Sequence, residues 1–249
     1  MNTNCITLLA LGALTGLGTA ATVTQQVLVN FDGIIAGNAY TLGAGEIDTT
    51  GTFGGRGNPA VTSGEADLTG GFQGFYFDSS SLGALTTQNW IAETRVSFDA
   101  FGTGQLTVID VQGDTDFRIN NAGTALEAVY WDGSTAGSQT ASLPSTGTTI
   151  HMALVWDATA TSLTGYIDGT SIGTVDNGAF ATPDGNVSFG YLGRAGFEGR
   201  GINGQLDGVA FSTFTGTFDA STDFQIIPEP SSIALFIPCG MILLRRRRK

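Results

Sequence analysis

The chain has 249 residues, with glycine at 37 positions, 41% apolar residues and only 13% charged ones, which excludes a collagen repeat and a disordered chain. Between residues 22 and 227 it carries five arginines, no lysine and 21 acids, a net charge of −16 that repels phosphate backbones and excludes nucleic acid as a partner. The two cysteines, Cys5 and Cys239, lie in hydrophobic terminal segments, so the body holds no disulfide, thiol nucleophile or thiolate zinc site.

Residues 1–21 place an apolar stretch, Ile6 to Leu17, before the small residues Gly18, Thr19, Ala20 and Ala21. That order predicts an export signal cut by signal peptidase after Ala20 or Ala21, although no Lys or Arg precedes the apolar core. From 22 to 227 no amphipathic helix is predicted. Apolar alternation broken by Gly, Asp, Asn, Ser and Thr predicts strands at Val27–Phe31, Gly71–Phe77, Trp90–Phe98, Leu106–Val111, Phe117–Asn120 and Leu126–Trp131. Five more follow at Ile150–Trp156, Leu163–Ile167, Ser171–Val175, Asn186–Leu192 and Gly204–Phe211. So many short strands without an internal linker predict two antiparallel sheets packed face to face, an all-β sandwich.

Within this run, Asp168-Gly169 predicts a tight hairpin turn, because glycine takes the positive φ such turns need. The order His151, then Tyr166-Ile167-Asp168-Gly169, Phe189-Gly190 and Gly204-Gln205-Leu206-Asp207-Gly208-Val209 resembles the concanavalin A-like, laminin G-like jelly-roll family of bacterial surface proteins. Trp90 to Val96 is similar to the family's first long core strand. The resemblance implies a jelly roll with His151 as framework, and one structural calcium near the last strand. Asp207 is the matching residue and Asp32 the expected partner, with simple turn-capping by Asp207 as the open alternative.

The fold also hosts glycoside hydrolases, which need two carboxyls flanking the scissile bond. The nearest match to the laminarinase pattern Glu-x-Asp-x-x-Glu is Glu46-Ile47-Asp48, where Gly51 replaces the third acid. Glu93 and Arg95 share a better strand, but an acid and a base do not make an acid/base couple. His151 is the only histidine and no Gly-x-Ser-x-Gly elbow occurs, so no catalytic residue is assigned. Asp114-Thr115-Asp116 reads as an acidic solvated turn rather than a calcium loop. Trp131-Asp132-Gly133 and Tyr191 offer aromatic surface for sugar stacking, or core.

Residues 228–249 hold Pro228-Glu229-Pro230, an apolar run from Ile233 to Leu244 interrupted by Pro238, and the basic cluster Arg245, Arg246, Arg247, Arg248 and Lys249. The run falls short of the ~20 residues of a durable spanning helix, and the cluster would stay cytoplasmic. These residues closely resemble the PEP-CTERM sorting signal of Gram-negative bacteria. The resemblance implies a short transmembrane sorting helix and recognition of Pro228, Glu229 and Pro230 by an exosortase, with transient inner-membrane association before release to the envelope or the extracellular space. The expectation for the whole chain is therefore a non-catalytic adhesion or binding protein of the polysaccharide matrix, with a polysaccharide or a surface protein as ligand. A glycoside hydrolase with atypical residues and a passive structural component are the alternatives.

Overall fold

The computed structural model describes residues 20–62, 64–112, 115–131, 136–176, 185–191 and 200–226. The apolar part of the export signal lies outside the described residues, as do Asp114, the Asp132-Gly133 pair, Pro228, Glu229, Pro230 and the cluster from Arg245 to Lys249. Among the described residues, no helix is long and apolar enough to cross a membrane.

Among the described residues the body is built from strands and one 3-10 turn, Ser79–Leu82. Its first half contains β1 (Thr22–Val29), β2 (Ile34–Ala36), β3 (Ala39–Thr41), β4 (Ile47–Asp48), β5 (Gly54–Arg56), β6 (Ala60–Thr62), β7 (Glu65–Gly71), β8 (Gly74–Asp78) and β9 (Asn89–Ala100). Then come β10 (Leu106–Val111), β11 (Thr115–Ile119), β12 (Ala125–Trp131), β13 (Ala136–Ser142), β14 (Ile150–Asp157), β15 (Ser162–Ile167), β16 (Thr170–Asp176), β17 (Asn186–Phe189) and β18 (Gly201–Thr215).

Pairing sorts these strands into two antiparallel runs. The first is β4-β1-β18-β9-β14-β15-β16, with β7 and β6 beside the early part of β18 where β1 does not reach. The second is β2-β3-β5-β8-β17-β10-β11-β12-β13. Among the described residues one parallel pair, Thr107↔Gly201, ties the runs together, so one hydrogen-bonded network takes the place of the two separate sheets expected from the sequence.

The runs face each other across an aromatic core. Tyr130 of β12 stacks on Trp156 of β14 at 6.1 Å, Trp156 on Trp90 at 6.4 Å, and Trp90 on Phe211 of β18 at 5.9 Å. Phe77 of β8 meets Phe211 from the opposite run at 5.4 Å. The layers approach so closely that a Cβ on Gly165 of β15 would lie 2.6 Å from the Ala128 methyl of β12. The predicted hairpin is present: Asp168 and Gly169 have φ of 48° and 74° between the paired Ile167 and Thr170. The Asp168 carboxylate accepts the His151 N–H at 2.9 Å, pinning the turn to the start of β14.

Alternation along β14 separates two environments. Met152, Leu154 and Trp156 enter the main core. Ala153 and Val155 join Ile91, Phe214 and Phe224 in a second cluster on the outside of the first run, with Tyr166, Phe218 and Ala220 against it. The segment after β18, residues 216–226, supplies three of these side chains and lies over that face as a strap.

Candidate functional site

The sequence's two polar candidates in the first run are joined. Glu93 and His151 are fully buried, and Glu93 Oε2 lies 2.9 Å from His151 Nε2. Glu93 also accepts the backbone N–H groups of Gln225 at 2.8 Å and Ile226 at 3.4 Å, while Phe224 packs edge-on against the imidazole at 4.8 Å. This site is closed by the chain itself. Its chemistry fastens the strap, in line with the framework role expected of His151.

The outer face of the second run is different. Residues paired directly across an antiparallel ladder share a face. Phe75, Phe189, Ile109, Phe117 and Ala128 therefore form one inward row. The adjacent register puts Tyr76, Ser188, Asp110, Asp116 and Val129 in an outward row, beside a second outward row of Thr107, Arg118, Glu127 and Thr140. Asp110 and Ser188 are 0% exposed and Asp116 7%. The expectation of a solvated turn at Asp114-Thr115-Asp116 is thus corrected at Thr115 and Asp116, which are buried in β11 because pairing with both β10 and β12 encloses them.

At one end these rows open into a depression of about 380 Å³ lined by Asn38, Gly55, Arg56, Tyr76, Asn186 and Tyr191. That size is within the ~300–1,000 Å³ of small-ligand sites. The Arg56 guanidinium lies 5.4 Å from the Tyr191 ring centroid, a cation–π contact that covers one ring face. Burial pushes the Tyr191 hydroxyl up to about 12, against the opposing pull of Ser188 and Arg56, so it stays a donor at neutral pH. In the middle of the face, burial pushes Asp116 up to about 6 against the pull of Arg118, of a hydrogen bond with Asp110, and of Arg200. Arg118 donates from Nη1 to Asp116 at 3.3 Å and from Nε to Glu127 at 3.1 Å.

Comparison with known proteins identifies the fold. Residues 69–217 match the family described as the concanavalin A-like lectin/glucanases superfamily. The chain belongs to this superfamily. Among solved structures it is similar to the Trypanosoma rangeli sialidase in complex with 2,3-difluoro-KDN, with 10% identity and a TM-score of 0.56 over 74% of this chain and 30% of that one. A second structure of that sialidase aligns at 12% identity and a TM-score of 0.53, over 78% of this chain and 31% of the enzyme. The chain thus spans less than a third of the sialidases' length. The Ruminococcus gnavus IT-sialidase CBM40 bound to α2,3-sialyllactose aligns at 15% identity and a TM-score of 0.47, over 59% of this chain and 88% of that one. No curated protein matches.

The remaining predicted residues fall elsewhere in this superfamily member. Asp207 is the extra residue of a β-bulge between Leu206 and Gly208, and its Oδ2 accepts from Arg95 Nη2 at 2.7 Å. Asp32 follows β1 and accepts from Asn30 Nδ2 at 2.8 Å. Among the described residues, no three His, Cys, Asp or Glu side chains come together as a metal cage. Glu46 serves the loop after β1, accepting from Asn30 N, Asp32 N, Gly43 N and the Tyr40 hydroxyl, and Asp48 accepts from Thr50 and Phe53 N–H groups. Trp131 ends β12 with 42% exposure, while Tyr191 lines the depression. Sequence reasoning missed the polar rows, since each strand contributes only one or two outward residues. Only the ladder register assembles them.

Proposed function

We propose that this chain is an exported, non-catalytic carbohydrate-binding protein of the envelope or extracellular matrix, which holds glycan on the outer face of its second run. The observation carrying this reading is the Asn38–Arg56–Tyr76–Asn186–Tyr191 depression at the Tyr76 end of the outward row. Amides, hydroxyls and a guanidinium match the hydroxyl-rich surface of a sugar, and the superfamily and the sialidase likeness support a glycan ligand. Against catalysis, Asp110 and Asp116 face each other across the β10–β11 ladder with 0% and 7% exposure, so this carboxyl pair does not line an open cleft in which a glycosidic bond would sit between them. In a glycan array, wild-type protein should bind, and Tyr76→Ala should weaken its best ligand about tenfold, or ~1.4 kcal/mol, without a change in Tm. Full retention by Tyr76→Ala would move the site off this face. Release of new reducing ends from the bound glycan would replace the binding reading with a hydrolase.

The sorting part of the proposal rests on the order Pro228-Glu229-Pro230, apolar run, basic cluster. Export through signal peptidase and processing by an exosortase should give a mature protein lacking Arg245–Lys249 by intact mass. A mature fraction still ending at Lys249 makes the segment a plain anchor.

A calcium ion belongs to this proposal only if Asp207 shares its carboxylate between the ion and Arg95. Chelation should then lower the Tm of the wild type and leave Asp207→Asn unchanged. An equal response in both proteins removes Asp207 as a ligand.

A further inference from the structure

The outward row that carries Tyr76 can be followed in both directions through the ladder. Ala36 pairs with Ala39, Ala39 with Gly54, Gly54 with Tyr76, Tyr76 with Ser188 and Ser188 with Asp110. Residues paired in this way share a face, so the row crosses β2, β3, β5, β8, β17 and β10. The two sides of Tyr76 differ. Toward β17 the row is sealed: Ser188 and Asp110 are 0% exposed, and Asp116 beyond them 7%. Toward the edge of the run Gly54 carries no side chain, and Ala39 and Ala36 are exposed. With strands ~4.8 Å apart, that ramp of small residues runs about 14 Å from Tyr76 to Ala36. The flanks are built as well. Arg56 pairs with Gly74, where a Cβ would strike the Tyr191 ring, so glycine lets that ring lie over β8 within reach of the guanidinium. Asn186 stands on the other flank, two residues before Ser188 on β17. Beside the ramp lies Asn38, whose side-chain carbonyl already accepts from Asn58 N at 3.0 Å. The depression is therefore blind toward Asp110 and open toward Ala36.

We propose that this depression takes the terminal residue of a glycan chain, and that the rest of the chain leaves over Ala39 and Ala36. The proposal deepens the glycan-binding reading and rests on it. A chain held by its middle must continue on both sides of the residue in the depression. On the β17 side it would have to cross Ser188 and Asp110, which even water does not touch. Only the open side leaves room for a second sugar. The hydrogen-bonding groups Tyr76, Tyr191, Arg56 and Asn186 gather at the closed end, whereas the ramp offers methyl groups alone. A few convergent polar groups fix the orientation of a small ligand, so selectivity falls on the last sugar and the residues behind it add little.

The test presents maltohexaose, cellohexaose, xylohexaose and mannohexaose, together with the tightest ligand of the glycan array, to the exported protein. Each is tethered to a surface by its reducing end and, separately, by its non-reducing end. Every sugar that binds should do so in one orientation and lose at least about tenfold in the other, which is ~1.4 kcal/mol. In the retained orientation, trimming the chain to a trisaccharide should change affinity by less than about twofold. Ala39→Trp and Ala36→Trp each place a ring under the departing chain. They should shift affinity for the hexasaccharide by at least about threefold, in either sense, and leave that of the free monosaccharide unchanged. Equal binding in the two orientations overturns the end-on site, and so does hexasaccharide affinity untouched by both tryptophan variants. Either result leaves the glycan-binding reading intact. No binding of any tethered or arrayed glycan removes both.

Discussion

Glu93→Ala should be among the most damaging single substitutions in the body, lowering stability by about 3–5 kcal/mol. Its carboxylate is fully buried and is shared by His151 Nε2 and the N–H groups of Gln225 and Ile226. Truncation strands all three partners at once, the imidazole fully buried and the two N–H groups half-buried, and each buried orphaned donor costs about 1–3 kcal/mol. The loss should have a local signature as well. With the fastening gone, Phe224 and Phe218 lose their seat against Tyr166 and Phe214, and the strap should become the first site of protease cleavage. Urea denaturation with His151→Ala and the double variant separates the pair from the strap. A coupling near zero, or a Glu93→Ala penalty below ~1 kcal/mol, would mean that burial under the strap and not the carboxylate holds this face together.

Alternation makes the long strands from β9 onward legible in the sequence, and with them the all-β class. IHMALVWD reads as one strand with two faces, and the structure sends those faces into two separate clusters. The tight turn at Asp168-Gly169 is equally legible, since only a few residue types tolerate its backbone. The short strands β2 to β6 were not. Segments such as GGR and AVT are three residues long and too brief for any period to show. β13, AGSQTAS, lacks the branched and aromatic residues that mark a strand, and is held by pairing with β12. The site was least legible of all. Asp116 looks like a turn residue by its neighbours in the chain, and becomes a buried acid only because Asp110 and Val129 are its neighbours in space. Likewise Glu93 pairs in sequence with Arg95, two residues away on the same strand face. In the fold Arg95 turns to Asp207 and Glu93 to His151.

The second large effect is expected at Trp90. Its ring stacks on Trp156 and Phe211, its indole N–H donates to the Leu85 carbonyl at 3.1 Å, and its backbone pairs directly with Trp156. Trp90→Ala should cost about 3–5 kcal/mol, as for large-to-small changes in a close-packed core. Trp90→Phe keeps part of the stack but leaves the Leu85 carbonyl without its donor, and should fall between the two. Thermal unfolding of the three proteins gives the order, and a Trp90→Ala variant as stable as Trp90→Phe would show that the layers close over the missing ring.

β1 lies antiparallel to the last stretch of β18, with Thr22 opposite Thr215, Ala20 bridging to Thr217, and Gln25 Nε2 donating to Gln225 Oε1 at 2.6 Å. The start of the body therefore sits beside Thr217, while the strap carries its end back along β1 to the level of Gln25 and Glu93. A body whose ends can be bridged by a linker is indifferent to where its covalent chain is opened, provided the opening is an exposed turn. Joining residues 226 and 20 through a flexible linker of about ten residues, enough to run back along this stretch of β1 at ~3.3 Å per residue, and cutting at Gly147, which has a φ of 72° and open space where a Cβ would stand, would keep every ladder intact. With the same linker length at one junction, the whole sandwich can be inserted as a cassette into a surface loop of another protein, displaying its polar face there.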